Sequence, residues 1–296
     1  YQPSPDTDIS PQPRSDALLV SAADYPSFAV AWRQQALNDM RGKYRKVSVD
    51  EDKILKGLIP FVSKPRTTDE IREHVADLCG GVLDSGDLLH YARALLPMTH
   101  VFPSGAFRQH GKFSLVGLKG DLPVEPAATA LLVRRYLAAF GPATREDIAH
   151  FTYLKYRQLD PALAELDVIR LSDKEDRDLI DLPRAPRPAE DVDIPVRFLA
   201  KWDAAVISHK DRTRILPAAY HTRVVRKING DVLSTYLIDG KVAGTWSCVR
   251  KGATATIVLE PFEPVPSSVH SELEAESLAV ARFLEPDAET LVSTFT

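Results

Sequence analysis

The sequence predicts an α+β protein: two similar helical blocks, each with a short strand pair, followed by a β-rich module that ends in a helix. Two observations predict this. Lys64–Ile71 aligns with Gly141–Ile148 at a constant offset of about 77 residues, which marks an internal repeat. Beyond the proline-rich stretch ending at Pro195, apolar residues switch from a helical period to simple alternation.

The elements follow in order. Residues 1–16 carry Pro3, Pro5, Pro11 and Pro13 with Asp6, Asp8 and Ser10 among them, and read as a tail without a signal-peptide core. Ala22–Asn38 reads as a helix with Tyr25, Phe28, Ala29, Trp32 and Ala36 on one stripe. In each repeat an amphipathic helix runs into a proline turn. Ile54, Leu55, Leu58 and Ile59 form its apolar face in the first copy, and Leu131, Leu132, Tyr136 and Leu137 in the second. A threonine follows each proline, Thr67 or Thr144, placed to cap the next helix. Acids fall in that helix's first turn (Asp69 and Glu70; Glu146 and Asp147), where the helix dipole favours them. A third helix is expected over Gly86–Leu96 and over Leu159–Leu166. Strand pairs are expected at Thr99–Phe102 with Lys112–Val116, and at Val168–Leu171 with Asp178–Leu182. Three helices and a hairpin make a winged helix, so the sequence predicts tandem winged-helix (helix-turn-helix) domains. Pro183, Pro186, Pro188 and Pro195 mark a linker. Strands are expected at Val196–Ala200, Val224–Ile228, Val232–Ile238, Lys241–Ser247 and Thr254–Glu260, with Asp239-Gly240 as a two-residue hairpin turn. The last helix is expected over Ser268–Leu284. The resulting domains are a tail (1–16), two winged-helix domains (17–122 and 123–187) and a β-rich module (188–296).

Composition narrows the functional classes. Of the 296 residues, 44% are hydrophobic and 26% charged, the balance of a globular protein, and no apolar run is long enough to span a membrane. The net charge of -4 means that any nucleic-acid contact comes from local cation clusters. Cys79 and Cys248 have no metal-type spacing and are expected to be thiols in a cytoplasmic protein. Isolated histidines are too scattered to suggest a metal. No phosphate loop, nucleophile elbow or dinucleotide fingerprint occurs, so no cofactor is expected.

The candidate DNA contacts are cations and aromatics at helix starts and hairpin tips. Arg108, His110 and Lys112 lie in the first hairpin loop. Arg145 starts a helix, and Lys155, Tyr156 and Arg157 precede or start the next. Arg41, Lys43, Arg45 and Lys46 form the densest basic run, which is either a solvated face or a further contact. In the β-rich module Trp202, Asp203, His209, Arg212 and Arg214 form a polar centre. Either Asp203 and Arg212 pair structurally, or Trp202 and His209 line a pocket in which Asp203 acts as a carboxylate catalyst.

Three strings, Tyr136–Ile148, Phe198–Ile215 and Ile238–Trp246, together resemble the AlkZ-type bacterial winged-helix DNA glycosylases, with the similarity running from about Leu18 to the C-terminus. The resemblance implies binding to double-stranded DNA, alkylated or crosslinked, and hydrolysis of the N-glycosidic bond of the damaged base; a monomer is expected. The same fold also serves a non-catalytic DNA-binding regulator or protector, and a module with no DNA role remains a third reading. The resembling glycosylases carry an N-terminal Gln-x-Gln or Gln-x-Asp motif. Here Gln-x-Gln is absent, and the one Gln-x-Asp, Gln158–Asp160, falls in the second repeat and reads as a helix start. Two alternatives stay open: the motif precedes Tyr1, or the chain is not a glycosylase of that kind.

Overall fold

The computed structural model describes residues 25–104, 113–118, 125–188, 192–226 and 230–296, and shows a mixed α+β protein. The expected tail at 1–16 lies outside the described residues. Contacts divide the chain into one unit running to Ala185 and a second from Pro186 to Thr296.

The first unit opens with α1 (Tyr25–Lys43). Tyr25, Phe28, Ala29, Val30, Ala36, Leu37 and Met40 are buried, so more than one face of the helix is covered. It packs on both α4 (Leu88–Leu95) and α5 (Glu125–Phe140). The Tyr25 hydroxyl donates to the Met98 carbonyl at 2.5 Å, and Arg33 Nε to that of Ala94 at 2.9 Å.

The first repeat contains α2 (Glu51–Phe61), β1 (Arg66–Thr67), α3 (Thr68–Cys79), α4, β2 (Met98–His100) and β3 (Ser114–Gly117). Ile54, Leu58, Ile71, Val75, Leu95 and Leu115 meet in its core. The strands form a sheet in the order β1-β3-β2. The second repeat contains α5, α6 (Arg145–Thr152), α7 (Tyr156–Glu165) and the hairpin β4 (Ile169–Ser172) with β5 (Asp178–Asp181). Both repeats close the turn before their middle helix in the same way. Thr67 Oγ1 accepts the Glu70 amide at 3.2 Å while Glu70 accepts the Thr67 amide at 2.7 Å. Thr144 Oγ1 accepts the Asp147 amide at 3.0 Å while Asp147 accepts the Thr144 amide at 2.9 Å. Each reciprocal pair satisfies two backbone donors that the helix leaves open. Arg66 pairs with Leu115 across the first sheet, and Ala143, its counterpart in the repeat, bridges Ile180.

A polar hub ties α1, α2 and α4 together. Arg41 grips Glu51 through two nitrogens at 2.8 and 2.6 Å, and the buried Tyr91 hydroxyl donates to Glu51 at 2.9 Å. The Arg41 guanidinium, helped by Tyr91, holds the Glu51 carboxyl below its ordinary value of 4.5. A carboxylate depressed in the folded state stabilises above the unfolded pKa, and that stability is lost as pH falls through the folded value. Glu51→Gln is therefore expected to cost about 1 kcal/mol near neutrality, discounted for the solvent-facing side of the pair. The difference from wild type shrinks progressively as pH drops below 4.5. Thermal melts across that range check it, and a difference that grows towards acid contradicts it.

The second unit holds β6 (Arg197–Leu199), the short helices α8 (Ala204–Ile207) and α9 (His221–Val224), β7 (Val225–Arg226), β8 (Asp231–Val232), β9 (Thr235–Ile238), β10 (Lys241–Lys251), β11 (Thr254–Pro261), α10 (His270–Leu284) and β12 (Thr290–Phe295). Five strands form one sheet in the order β12-β11-β10-β9-β6. Leu273, Ser277 and Ala281 of α10 are buried, and Leu273 and Ala281 share a core with Tyr236, Ile257 and Leu259 of the sheet. Asp239 and Gly240 both adopt positive φ, 50° and 72°, as their hairpin turn requires.

Three expectations change here. The strand read at Val232–Ile238 is two strands, because the chain changes partner between them. Val232 pairs with Val225, and Thr235 with Thr245. Val224 ends a helix rather than starting a strand. The strand β12, which runs parallel to β11, has no local counterpart in the reading.

Candidate nucleic-acid interface

In the first unit the candidate site is built on the starts of α6 and α7. Arg145 is the first residue of α6, directly after the Thr144 cap. Tyr153 ends that helix in the left-handed region at φ 58°, and Lys155 is the N-cap of α7. The short turn brings both helix starts together. The Arg145 guanidinium lies 3.5 Å from the centre of the Tyr156 ring and grips Asp160 through two nitrogens at 2.7 and 2.5 Å. That bond raises the arginine pKa and lowers that of Asp160.

Arg145 is therefore a brace between α6 and α7, and its charge is largely matched. Lys155, Tyr156 and Arg157 are exposed on the first turn of α7, and neither cation has an ion-pair partner among the described residues. Two uncommitted cations flank an aromatic ring beside the positive end of a helix dipole, an arrangement suited to a phosphate backbone. Gln158 accepts the Lys155 amide at 3.2 Å, and Asp160 is held by Arg145. Both polar members of the chain's Gln-x-Asp are thus committed to the local fold. In the basic run, Arg41 is held by Glu51 and Lys43 by Asp84 and Asp87, while Arg45 and Lys46 are exposed. Arg108, His110 and Lys112 lie outside the described residues.

In the second unit Trp202 takes the left-handed conformation at φ 53°. Its amide donates to the Val232 carbonyl at 3.1 Å. Lys201 reaches over the ring, 4.9 Å from its centre, and pairs with Asp231 at 3.0 Å. The Lys201–Asp231 pair escaped sequence reasoning, because the residues are far apart in the chain. Asp203 Oδ1 accepts the Ala205 amide at 2.9 Å and caps α8. This cap, and not an ion pair with Arg212, is the contact found for Asp203 among the described residues, because a carboxylate at an N-cap finds a donor two residues away at little entropic cost. Asp203 Oδ2 accepts no hydrogen bond among the described residues. After α8, Ser208 Oγ meets His209 Nδ1 at 2.9 Å, and Asp211 accepts the Thr213 amide at 3.0 Å. Arg212 is half-buried and Arg214 exposed. Trp202 and Asp203 thus stand before α8, and His209, Arg212 and Arg214 follow it.

Among the described residues no group of three metal-ligating side chains could hold an ion, and no helix is long and apolar enough to cross a membrane.

A family model of AlkZ-like DNA glycosylases matches residues 14–283. Among solved structures, the DNA glycosylase AlkZ of Streptomyces sahachiroi superposes with a TM-score of 0.75 at 16% identity, over 96% of this chain and 80% of that one. No curated protein matches by sequence.

Proposed function

We propose, from the premise that this chain belongs to the AlkZ-like DNA glycosylase family, that it binds duplex DNA and hydrolyses the N-glycosidic bond of alkylated or crosslinked bases. The observation that carries this is the extent of the family match, which takes in both units. In this reading the two repeats are winged helices, α2–α4 with β1–β3 and α5–α7 with β4–β5. Lys155, Tyr156 and Arg157 contact the backbone from the start of α7, and Arg108, His110 and Lys112 from the first hairpin loop. Arg145 fixes the angle of α7 and contacts DNA only by giving up Asp160. Trp202, His209, Arg212 and Arg214 are the contacts proposed for the second unit.

The chemistry asks little of the protein. Alkylation at a purine ring nitrogen makes the base a cation. Water adds to the sugar C1′ as the C1′–N bond breaks, the base leaves neutral, and a proton goes to solvent. The protein must position water and stabilise the positive charge that develops on the sugar. Asp203, with Oδ2 uncommitted, is the carboxylate proposed for that role. A second reading, a DNA-binding protein without glycosylase activity, is favoured by the commitment of Gln158 and Asp160 to the fold.

The test is single-turnover incubation with duplex carrying N7-methylguanine, alongside binding to the same duplex over a salt series. Release of free base supports the first reading. Salt-dependent binding without release supports the second, and no affinity even at low salt excludes both. Replacing Lys155 and Arg157 with alanine is expected to lower the salt slope by about 2.

A further inference from the structure

We propose that Asp160 is a resident stand-in for phosphate: it holds Arg145 as a closed clamp, and a backbone phosphate of duplex DNA takes over the clamp by displacing the carboxylate. The inference rests on the DNA-binding reading and adds to it a contact that the free protein keeps shut.

The Arg145 guanidinium turns one edge, Nε and Nη2, to the two oxygens of Asp160 at 2.7 and 2.5 Å. Two parallel N–H donors grip a phosphate in the same way as a carboxylate. The guanidinium carbon lies 3.5 Å from the centre of the Tyr156 ring, and that ring is 42% exposed. This stacking does not involve Asp160. It keeps the arginine in place at the surface when the carboxylate leaves.

Asp160 is built to leave, and two other arginine partners are not. Glu51, gripped by Arg41, also accepts the Tyr91 hydroxyl at 2.9 Å, and its side chain is 23% exposed. Asp173, gripped by Arg177, also accepts the amides of Glu175 and Arg177 at 3.0 and 2.9 Å, and is 16% exposed. Moving either carboxylate would leave those donors without their partner. Asp160 accepts from Arg145 alone among the described residues, and its side chain is 50% exposed. It can turn into water and leave no other donor unmatched. A pair so open adds little net stability, because water competes for both ends.

Lys155 and Arg157 stand exposed on either side of Tyr156 in the chain and draw a polyanion to this spot. Arg145 adds little to that attraction while Asp160 matches its charge. On contact one oxygen pair replaces another. The freed carboxylate gathers about as many cations as the phosphate sheds, so the exchange barely changes the salt dependence of binding. Asp160 is thus a brake on backbone affinity. It keeps the hold on undamaged duplex loose enough for the protein to slide.

The experiment measures duplex affinity of the full chain over a salt series, beside melting temperatures. Asp160→Asn opens the clamp. It is expected to bind about tenfold more tightly than wild type near physiological salt, with a salt slope steeper by about 1. Glu165→Gln makes the same charge change at the other end of α7 and should stay within about twofold of wild type. Arg145→Lys in the Asp160→Asn background keeps the charge without the fork and should lose most of the gain. A wild type that binds, with Asp160→Asn no tighter than it or than Glu165→Gln, overturns the proposal and leaves the DNA reading standing. A wild type without affinity even at low salt removes the DNA reading and the clamp with it. Wild type also gives a readout that needs no stable variant. The Arg145 Nε–H resonance should move when duplex is added, while that of Arg41, locked to Glu51, stays. An Arg145 resonance unmoved at saturating duplex overturns the exchange.

Discussion

Gly244→Ala is expected to destabilise the second unit by about 3 kcal/mol, lowering its melting temperature by roughly 10 °C or more. Gly244 lies buried in β10 where the register with β9 shifts. A β-carbon there would stand 2.5 Å from the Tyr236 hydroxyl, 2.6 Å from Tyr236 Cε1 and 2.6 Å from the Glu260 carbonyl oxygen. No flexible tip can yield. Tyr236 is fully buried, stacked on Phe198 and packed in the core with Ile257 and Leu259, and Glu260 contributes backbone of the neighbouring strand. The tyrosine hydroxyl finds no hydrogen-bond partner among the described residues, and burial pushes its pKa up to about 12. Tyr236→Phe alone should therefore change stability by less than about 1 kcal/mol, since no hydrogen bond within the protein is lost. In the Gly244→Ala background it removes one of the three close contacts, that with the hydroxyl, and should recover part of the loss, leaving those with the ring Cε1 and the Glu260 carbonyl. Thermal melts of the four proteins form a double-mutant cycle. A single Gly244→Ala protein as stable as wild type would contradict the close approach of Tyr236 to β10.

Gly141→Ala is the second large effect, about 3 kcal/mol in the first unit. Gly141 joins α5 to the turn before α6, and its amide donates to the Leu137 carbonyl at 2.9 Å. A β-carbon there would meet the Leu137 oxygen at 2.6 Å and Asp181 Oδ1 at 2.5 Å. Asp181 is 1% exposed, and its Oδ1 already accepts the Leu182 amide at 2.8 Å. The carboxylate cannot swing away without leaving a charge buried and an amide unpaired, so the strain falls on the backbone of the turn. That turn sets Thr144 and Arg145 at the head of α6, so duplex affinity should fall together with stability. Urea denaturation with limited proteolysis locates the effect: new cleavage is expected between residues 125 and 185. Loss of stability confined to residues 186–296 would refute it.

Local features of this fold were legible in the amino-acid order. The two threonine caps, the Asp239-Gly240 turn and the position of Lys155, Tyr156 and Arg157 at a helix start all depend on residues within four places of one another. Short-range hydrogen bonds and helical periodicity encode them directly. The allocation of side chains was not legible. The order placed Arg145 at a helix start, but Asp160 and Tyr156 hold it only because the turn between the two helices brings α7 within reach of its side chain. Asp203 had two roles open to it in the amino-acid order, an ion pair with Arg212 or a catalytic carboxylate, and the fold gives its Oδ1 to a backbone amide two residues away. Likewise Lys201 meets Asp231, and β12 meets β11, only once the sheet has formed.

The sequence by itself therefore determined where helices start, where chains turn and which family the protein belongs to. Only the tertiary structure decided which cations are held in ion pairs, as Arg41 and Arg145 are, and which stand exposed, as Lys155 and Arg157 do. Each long-range partner is chosen among many chemically equivalent groups, and the choice is made by packing, which no short stretch of chain contains.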